Sequence, residues 1–253
     1  MSAARFVARD RARQWPYGVP VDVRQALVVG ASSEIGAAVA EMLAERADRL
    51  VLWGRDPGRL RAAAERCTGT DVLTRQVDVA DHAQLVEGLR ALRTGGSVSV
   101  VVWAAGVFDW GPADRADAGR WREVVDVNLT APAVFTALVV PDLVAAAPSA
   151  LVLVGSGAGH VAYPDNAAYV ASKHGLTGLA RATYLDVRRH RVKVSLVSPG
   201  LVDAGATRAA PLTPEQRAQL LSPADVAAAV AFVVDFGEHG CPTEIHLQPH
   251  RPG

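Results

Sequence analysis

Residues 150–173 read ALVLVGSGAGHVAYPDNAAYVASK, and this stretch decides how the rest of the chain folds. Its apolar run at 151–154 predicts a strand buried on both faces, followed by a loop of small residues that carries Ser156. The next segment predicts a helix, on which Tyr169 and Lys173 lie one turn apart on the same face. An ammonium group beside a phenol favours the phenolate, so the lysine is expected to lower the tyrosine pKa from its ordinary value of about 10. With the Ser156 hydroxyl nearby, these groups suit a carbonyl that is about to gain a hydride.

This arrangement resembles the active-site segment of the short-chain dehydrogenase/reductase family, in which a serine precedes a Tyr-x-x-x-Lys motif. Here Ser156 precedes Tyr169 by 13 positions. The resemblance implies that Tyr169 donates a proton to the substrate oxygen, that Ser156 orients this oxygen, and that Lys173 binds the nicotinamide ribose. It also implies that Asn128, in a helix pattern at 120–140, is a fourth catalytic residue that holds a water for proton relay.

A glycine-rich turn far upstream supports the resemblance. The segment Gly30-Ala-Ser-Ser-Glu-Ile-Gly36 lies between an apolar run at 26–29 and helical spacing at 35–47. A strand, a glycine turn and a helix N-terminus present backbone N–H groups to a pyrophosphate. The family pattern is Gly-x-x-x-Gly-x-Gly, so Glu34 stands where a middle glycine is usual. We expect its carboxylate to point outward and to leave the backbone donors free.

The residues after the second predicted strand, at 50–53, favour NADP(H) over NAD(H). An acidic residue at the end of this strand would bind the ribose of NAD, whereas an arginine accommodates a 2′-phosphate. Gly54 occupies the acidic position and Arg55 the basic one, while Ser32 and Ser33 would add hydroxyl donors. Asp56 keeps NAD(H) possible.

The resemblance implies further cofactor contacts along the chain. Asp78 and Val79 match a family pair beside the adenine ring, although Asp78 also suits a helix cap or a turn. Where the family has two side-chain amides before Ala105 and Gly106, this chain has Trp103 and Ala104. A threonine is usual at the position of Ala204, and Thr207 is expected to take over its task. The remaining predicted contacts are Ile35, Pro199, Gly200 and Val202, besides Tyr169 and Lys173 themselves.

Side chains placed to meet the substrate form a mainly apolar set, which favours a medium-sized, partly hydrophobic ketone. The predicted set consists of Phe108, Trp110, His160, Asn166 and Leu201. Two other functions remain open. The same fold performs redox-neutral reactions of the dehydratase, cyclase or epimerase kind, and a non-catalytic cofactor-binding scaffold is compatible with the departures at Glu34, Trp103 and Ala204.

Strands alternating with helices predict an α/β, Rossmann-like, doubly wound parallel sheet of about seven strands with helices on both faces. We expect one domain at 25–249 and an N-terminal extension at 1–24 that is mobile or forms a lid or subunit contact through Phe6, Trp15 and Tyr17. The chain has 26 basic and 26 acidic residues, so its charge gives no reason to expect a nucleic-acid or membrane partner. No run reaches the length of a membrane span, because prolines interrupt the most apolar segments.

The two cysteines, and the absence of any visible His/Cys or carboxylate cluster, suggest neither a disulfide nor a metal. The cytoplasm is the expected location. The family resemblance implies a homodimer or homotetramer that associates through the helix carrying Tyr169, where Ala168, Ala171, Gly175 and Gly178 permit close approach.

Overall fold

A seven-stranded, fully parallel sheet organises the chain, in the strand order β3-β2-β1-β4-β5-β6-β7. The computed structural model describes residues 21–250. The strands are β1 (Gln25–Val29), β2 (Arg49–Gly54), β3 (Asp71–Gln76), β4 (Val100–Trp103), β5 (Ser149–Val154), β6 (Val192–Pro199) and β7 (Glu244–Leu247).

Helices connect the strands and cover both faces of the sheet. They are α1 (Glu34–Ala44), α2 (Pro57–Arg66), α3 (His82–Thr94), α4 (Ala118–Val125), α5 (Ala131–Ala145), α6 (Ala167–Val187), α7 (Pro214–Arg217) and α8 (Pro223–Asp235). The strand order reverses beside β1, which pairs with both β2 and β4. The predicted doubly wound fold is therefore confirmed.

The central strands are mainly apolar because both of their faces are buried. In β1, Ala26 and Val28 pack in one hydrophobic layer, while Leu27 and Val29 pack in the other. Successive side chains of a strand point to opposite faces, so each strand supplies both layers. The first layer includes α1 and α8, and the second includes α5 and α6. These layers hold the carboxyl ends of the strands at one rim of the sheet, where ligands bind in folds of this kind.

The helical stretch Ala118–Ala145 passes a length and composition test for crossing a bilayer, so the expectation that no run does so is wrong. It contains two prolines. Pro132 lies in the first turn of α5, where a helix tolerates proline, and Pro141 lies inside α5, where proline is destabilising. In the fold it behaves as a core helix, since Phe135 and Val139 are fully buried against the sheet.

The boundaries of several elements differ from those expected. The helix expected at 35–47 ends at Ala44, and the connection expected at 208–221 contains the short helix α7. The core also begins before residue 25, since Val21 and Val23 are buried and the Val21 N–H donates to the Val234 carbonyl at 3.3 Å. Residues 1–20 of the expected extension, among them the three aromatic ones, lie outside the described residues.

Candidate active site

The turn between β1 and α1 keeps its backbone clear of side chains. Gly30 has a φ of +88°, and a Cβ atom added there would lie 2.5 Å from the Ala105 nitrogen. A Cβ at Gly36 would collide with the Gly30 carbonyl oxygen. Only glycine fits both positions. Both glycines allow the chain's own backbone to pass close by, and they form a tight turn at the N-terminus of α1, the position at which such folds receive a pyrophosphate.

Ser33 is the N-cap of α1. Its Oγ accepts from the Gly36 N–H at 3.0 Å and donates to the Gly30 carbonyl at 2.8 Å. These bonds close the turn and satisfy a donor at the start of the helix. The expected contact of Ser33 with a cofactor phosphate stays a prediction, because its hydroxyl already serves the fold.

Glu34 connects the glycine turn to the segment after β6. Its Oε2 accepts from the Gly205 N–H at 3.1 Å, and its Oε1 lies 3.5 Å from Arg208 Nε. The carboxylate is thus partly neutralised by an arginine and held by another loop. This contact accounts for an acidic residue at a position where glycine is usual.

Glu34→Gln is expected to loosen the loop at 203–210, because the amide keeps an acceptor for Gly205 but loses the charge that attracts Arg208. Exposed ion pairs contribute up to about 1 kcal/mol, so tryptic cleavage after Arg208 should become up to about fivefold faster. Glu41→Gln on the same helix, where Glu41 pairs with Arg66, is the matched control. An unchanged cleavage rate in Glu34→Gln would show that the pair does not restrain the loop.

A cleft of about 550 Å³ opens beside the end of β2 and is lined by Ser32, Arg55, Asp56, Pro57 and Arg59. The Asp56 carboxylate caps α2 by accepting from the Arg59 N–H at 2.9 Å. One carboxylate oxygen thus serves the helix, and the other, Oδ2, lies 3.9 Å from Arg59 Nε. The sequence reasoning missed Arg59, which the first turn of α2 brings to the same cleft as Arg55.

Gly54 explains why no acidic residue ends β2. A Cβ atom at this position would lie 2.6 Å from Ser32 Oγ, so a side chain requires the serine to move. The close approach leaves the cleft with two guanidinium groups and a hydroxyl, a donor set that suits a phosphate.

The residues that were expected near the adenine ring of the cofactor have structural roles within the chain. Asp78 Oδ1 accepts from the Ala80 N–H at 3.1 Å, which is the turn role left open from the sequence. Val79 is buried in the core, 7% exposed. Trp103 is fully buried and packs on Phe135 with ring centroids 5.1 Å apart. At this position the chain therefore has an apolar core contact where the family has a side-chain amide.

Ser156, Tyr169 and Lys173 meet at the carboxyl end of β5. The Ser156 hydroxyl is close enough to the Tyr169 phenol to oppose the rise in its pKa, and Lys173 Nζ lies 5.7 Å from the centroid of the tyrosine ring. Lys173 is 5% exposed, and its Nζ donates to the Val154 carbonyl at 3.1 Å. The strand, the loop and α6 thus bring together the three groups that the sequence places 17 residues apart at most.

The electrostatics of this group differ from expectation. Burial raises the pKa of Tyr169, and the Ser156 hydroxyl only partly opposes this shift. Lys173 contributes nothing resolvable to the tyrosine pKa, so the expectation that the lysine lowers it is wrong for the unliganded protein. The reason is that burial disfavours the charged form of both groups. Tyr169 therefore stays protonated at neutral pH.

Lys173 is expected to make stability rise at alkaline pH. Complete burial lowers its pKa from 10.5 to about 8. Between these two pKa values the unfolded chain holds a proton that the folded chain has released, so the free energy of unfolding increases with pH. Lys173→Met lacks this contribution. Between pH 8 and pH 10.5 the free energy of unfolding should therefore rise by up to about 3 kcal/mol more for the native sequence than for Lys173→Met.

Urea unfolding of both proteins at a series of pH values checks this prediction. Lys193, whose pKa burial also lowers to about 8, is present in both proteins and cancels in the difference. A stability difference that does not change with pH would contradict the burial argument.

Asn128 lies in a π-helical turn, Asp126–Thr130, between α4 and α5, and is 1% exposed. Its Oδ1 accepts from the Val107 N–H and its Nδ2 donates to the Val107 carbonyl, both at 2.8 Å. Nδ2 also donates to Ser172 Oγ at 3.2 Å. The amide therefore fixes the segment after β4 against α6. Its predicted role in proton relay is not tested by these contacts.

Gly106 lies between Asn128 and Lys173. A Cβ atom at this glycine would be 3.2 Å from Asn128 Oδ1 and 3.7 Å from Lys173 Nζ. Ala105, the preceding residue, approaches the glycine turn closely, as described above. Both small residues thus let the segment after β4 pass between the glycine turn and the catalytic group.

Aromatic and aliphatic side chains surround the approach to Tyr169. The Phe108 ring packs on Tyr169 with centroids 4.9 Å apart, and Trp110 packs on Phe108 at 6.1 Å. The Gly111 N–H donates to the Asp165 carbonyl at 2.6 Å, which joins this segment to the loop before α6. The rim is therefore apolar.

The loops after β5 and β6 carry further exposed apolar side chains, and sequence reasoning missed Val161 and Tyr163 because their loop has no periodic pattern. Trp110, Val161, Tyr163 and Leu201 are all exposed, from 48% to 63%. Asn166 is 6% exposed, and its Oδ1 has no hydrogen-bond partner within the described residues. The expected contact of Asn166 with the substrate stays a prediction.

His160 occupies a different position from the one expected. Its Nε2 lies 3.0 Å from Ser198 Oγ, and its ring packs on His246 with centroids 4.3 Å apart. Burial lowers its pKa. These contacts direct the ring to the end of β6 and to β7, so a contact with the substrate stays a prediction.

The remaining predicted contacts follow β6. The Gly200 N–H donates to the Leu247 carbonyl at 2.8 Å, directly after Pro199. Val202 is buried in the core, 7% exposed, whereas Thr207 lies half-buried in the loop that Glu34 holds. Ile35 is the second residue of α1, beside the glycine turn.

The glycine turn at the reversal of the strand order defines a dinucleotide-binding fold. A family model described as short chain dehydrogenase matches residues 24–215. The chain belongs to the short-chain dehydrogenase/reductase family.

Relatives over most of the chain support this assignment. A cis-4-hydroxycyclohexanecarboxylate dehydrogenase of Sinomonas cyclohexanicum is 32% identical over 220 residues, which cover 83% of this chain and 88% of that protein. A glycine betaine reductase of Emericella nidulans is 31% identical over 243 residues, which cover 91% of this chain and 19% of the much longer fungal protein.

Solved structures show the same fold. A metagenomic short-chain oxidoreductase in complex with NADP is 31% identical, with a TM-score of 0.78 over 90% of this chain and 98% of the other. A variant of an actinorhodin polyketide ketoreductase with NADPH is 24% identical, with a TM-score of 0.81 over 90% of this chain and 97% of the other.

Proposed function

We propose that this chain is an NADP(H)-dependent oxidoreductase that reduces a medium-sized, partly hydrophobic ketone to an alcohol. The observation that carries the proposal is the contact of Ser156 with Tyr169, with the buried Lys173 ammonium 5.7 Å from the tyrosine ring. A hydroxyl donor, a protonated phenol and a cation in one place form a site for an oxygen that becomes negatively charged.

The residues present fit NADP(H). The turn at Gly30 and Gly36 is kept clear of side chains, as a pyrophosphate requires. The cleft beside β2 offers Ser32, Arg55 and Arg59 to a 2′-phosphate, while the carboxylate of Asp56 is engaged in capping. The similar metagenomic oxidoreductase is a complex with NADP, which supports the same choice.

The chain's own residues account for the proton and the charge. When bound, the nicotinamide supplies the hydride that goes to the carbonyl carbon. Tyr169 is protonated at neutral pH because burial raises its pKa, so it donates its proton to the carbonyl oxygen. Ser156 donates a hydrogen bond to the same oxygen and orients it. Hydride and proton together convert the ketone to the alcohol.

Lys173 and Asn128 restore the site after this step. Burial lowers the pKa of Lys173 to about 8, which allows it to exchange protons near neutrality and to return a proton to Tyr169. We assign the proton relay at Asn128 to a water held by its backbone, because both atoms of its side-chain amide are already bonded.

The substrate proposed is a cyclic or acyl-chain ketone. The exposed side chains of Trp110, Val161 and Leu201 supply apolar contacts. The related dehydrogenase is named for cis-4-hydroxycyclohexanecarboxylate, a six-membered ring compound, which supports a cyclic substrate.

A panel of cyclic and acyl-chain ketones tests the proposal. Loss of reduced-nicotinamide absorbance should accompany alcohol formation, faster with NADPH than with NADH. Product formed without loss of NADPH would favour a redox-neutral reaction instead. NADPH binding without turnover of any ketone would favour a non-catalytic protein.

We also propose that the protein works in the cytoplasm as a homodimer or homotetramer associated through α4 and α6. A groove of about 500 Å³ on this face is lined by Trp121, Val125 and Ala171, among others. Ala168 is buried, and a Cβ at Gly175 would lie 2.6 Å from Leu129, so these two small residues serve packing within the chain. Light scattering should give two or four times the monomer mass, and a monomer would contradict the proposal.

A further inference from the structure

Two histidines and one glutamate converge beside the carboxyl end of β6 and on β7. His160, Glu244 and His246 each offer one ligand atom, and these atoms all lie within 4.8 Å of one another. Glu244 and His246 are two residues apart on β7, so they project from the same face of the strand. His160 reaches them from the loop after β5. Sequence analysis expected no metal because 84 positions separate His160 from Glu244.

Two imidazoles and a carboxylate are the donor set that holds Zn²⁺ at sites with an open fourth position. Zn²⁺ bonds of about 2.1 Å place tetrahedral ligands about 3.4 Å apart. His246 Nε2 and Glu244 Oε2 are already 3.6 Å apart, and the two imidazole centroids are separated by 4.3 Å. Small side-chain rotations therefore suffice to close the three ligands around one ion.

Arg181 orients the Glu244 carboxylate and leaves it able to accept a further ligand. Arg181 of α6 donates to both oxygens of Glu244, at 2.6 Å and 3.1 Å. A carboxylate has about four lone-pair sites, so it can accept from the guanidinium and still bind a cation. An outer partner of this kind fixes a ligand's direction at metal sites.

The site is also reachable from solvent. The side chain of His246 is 47% exposed and that of Glu244 is 22% exposed. A metal ion can therefore enter from outside and keep a water as its fourth ligand. The ion pair with Arg181 explains the position of Glu244, but it does not explain why two imidazole rings pack against each other beside it.

We propose that His160, Glu244 and His246 form a binding site for a divalent transition metal, with Zn²⁺ as the best match. The site is separate from the three groups assigned to catalysis. His160 lies four residues after Ser156, so the bound ion would tie the serine-bearing loop to the edge strand β7.

Zinc titration of the full chain, carrying no purification histidines and no cofactor, tests this proposal. The native sequence should bind one equivalent of Zn²⁺ and unfold at a higher temperature when it is present. His160→Ala and His246→Ala should each weaken binding at least 100-fold and lose the thermal shift. The control His82→Ala, which changes an exposed histidine at the start of α3, should bind as the native sequence does.

Two results would overturn the proposal. One is a native protein that binds Zn²⁺ no better than His246→Ala, a variant of an exposed side chain that should fold normally. The other is equal binding by all variants, which would place the ion on other residues such as Cys67 or Cys241. Because no substrate or cofactor takes part, neither result bears on the proposed reductase activity.

Discussion

Tyr169→Phe is expected to lower kcat for ketone reduction by about 10²–10⁴-fold, the usual contribution of a positioned general acid. The phenylalanine keeps the ring that packs on Phe108 at 4.9 Å, so the shape of the site is retained and only the proton donor is lost. The binding of NADPH should change little. Steady-state kinetics with the best ketone of the panel, together with a cofactor titration, measures both quantities.

Tyr184→Phe is the matched control, because Tyr184 lies on the same helix and packs in the hydrophobic layer away from Ser156. Its activity should stay close to that of the native sequence. A Tyr169→Phe enzyme that retained full turnover would show that another group supplies the proton, and the assignment of the acid would be wrong.

The double change Arg55→Ala and Arg59→Ala is expected to weaken NADPH binding by about 10²-fold while NADH binding stays nearly unchanged. Hydrogen bonds to charged groups contribute about 1.5–3 kcal/mol each, and exposure places both arginines at the low end of this range. Only NADPH carries the phosphate that these groups would meet in the cleft. Separate titrations with the two cofactors measure the change in preference.

Arg61→Ala is the control, since Arg61 is an exposed arginine of the same helix outside the cleft. It should leave both affinities unchanged. Equal weakening of NADPH and NADH by the double change would mean that the arginines act on the fold of α2, and an unaffected NADPH affinity would remove the cleft from the cofactor site.

The fold could be predicted almost completely because its signals are local. Apolar runs of strand length alternate with helical spacing, and the glycine turn at Gly30 marks where β1 gives way to α1. Ser33 and Ser222 cap α1 and α8 through their hydroxyls, so the starts of these helices also depend on local contacts. Helix ends were less exact, since the end at Ala44 depends on tertiary packing rather than on spacing.

The candidate site could be predicted only in part, for physical reasons. Ser156, Tyr169 and Lys173 follow a spacing that one strand, loop and helix impose, so they were found together. Arg59 was missed because its approach to the cleft depends on the position of α2. The pKa of Tyr169 was misjudged because burial, which raises it, depends on the whole fold.

Groups joined only by the tertiary structure gave no signal in the sequence. Glu34 reaches Gly205 and Arg208 across 171 positions or more, and no spacing rule connects them. His160 and His246 meet for the same reason, because β7 adds to the sheet beside β6.

The most direct test of the account is transfer of deuterium from NADPH labelled at the nicotinamide C4 to the product alcohol. We expect one deuterium at the carbinol carbon for each NADPH consumed, and loss of this product in Tyr169→Phe. Mass spectrometry and NMR of the alcohol give the number and position of the label. A product that carries no deuterium and forms without consumption of NADPH would contradict hydride transfer to a carbonyl as the reaction of this protein.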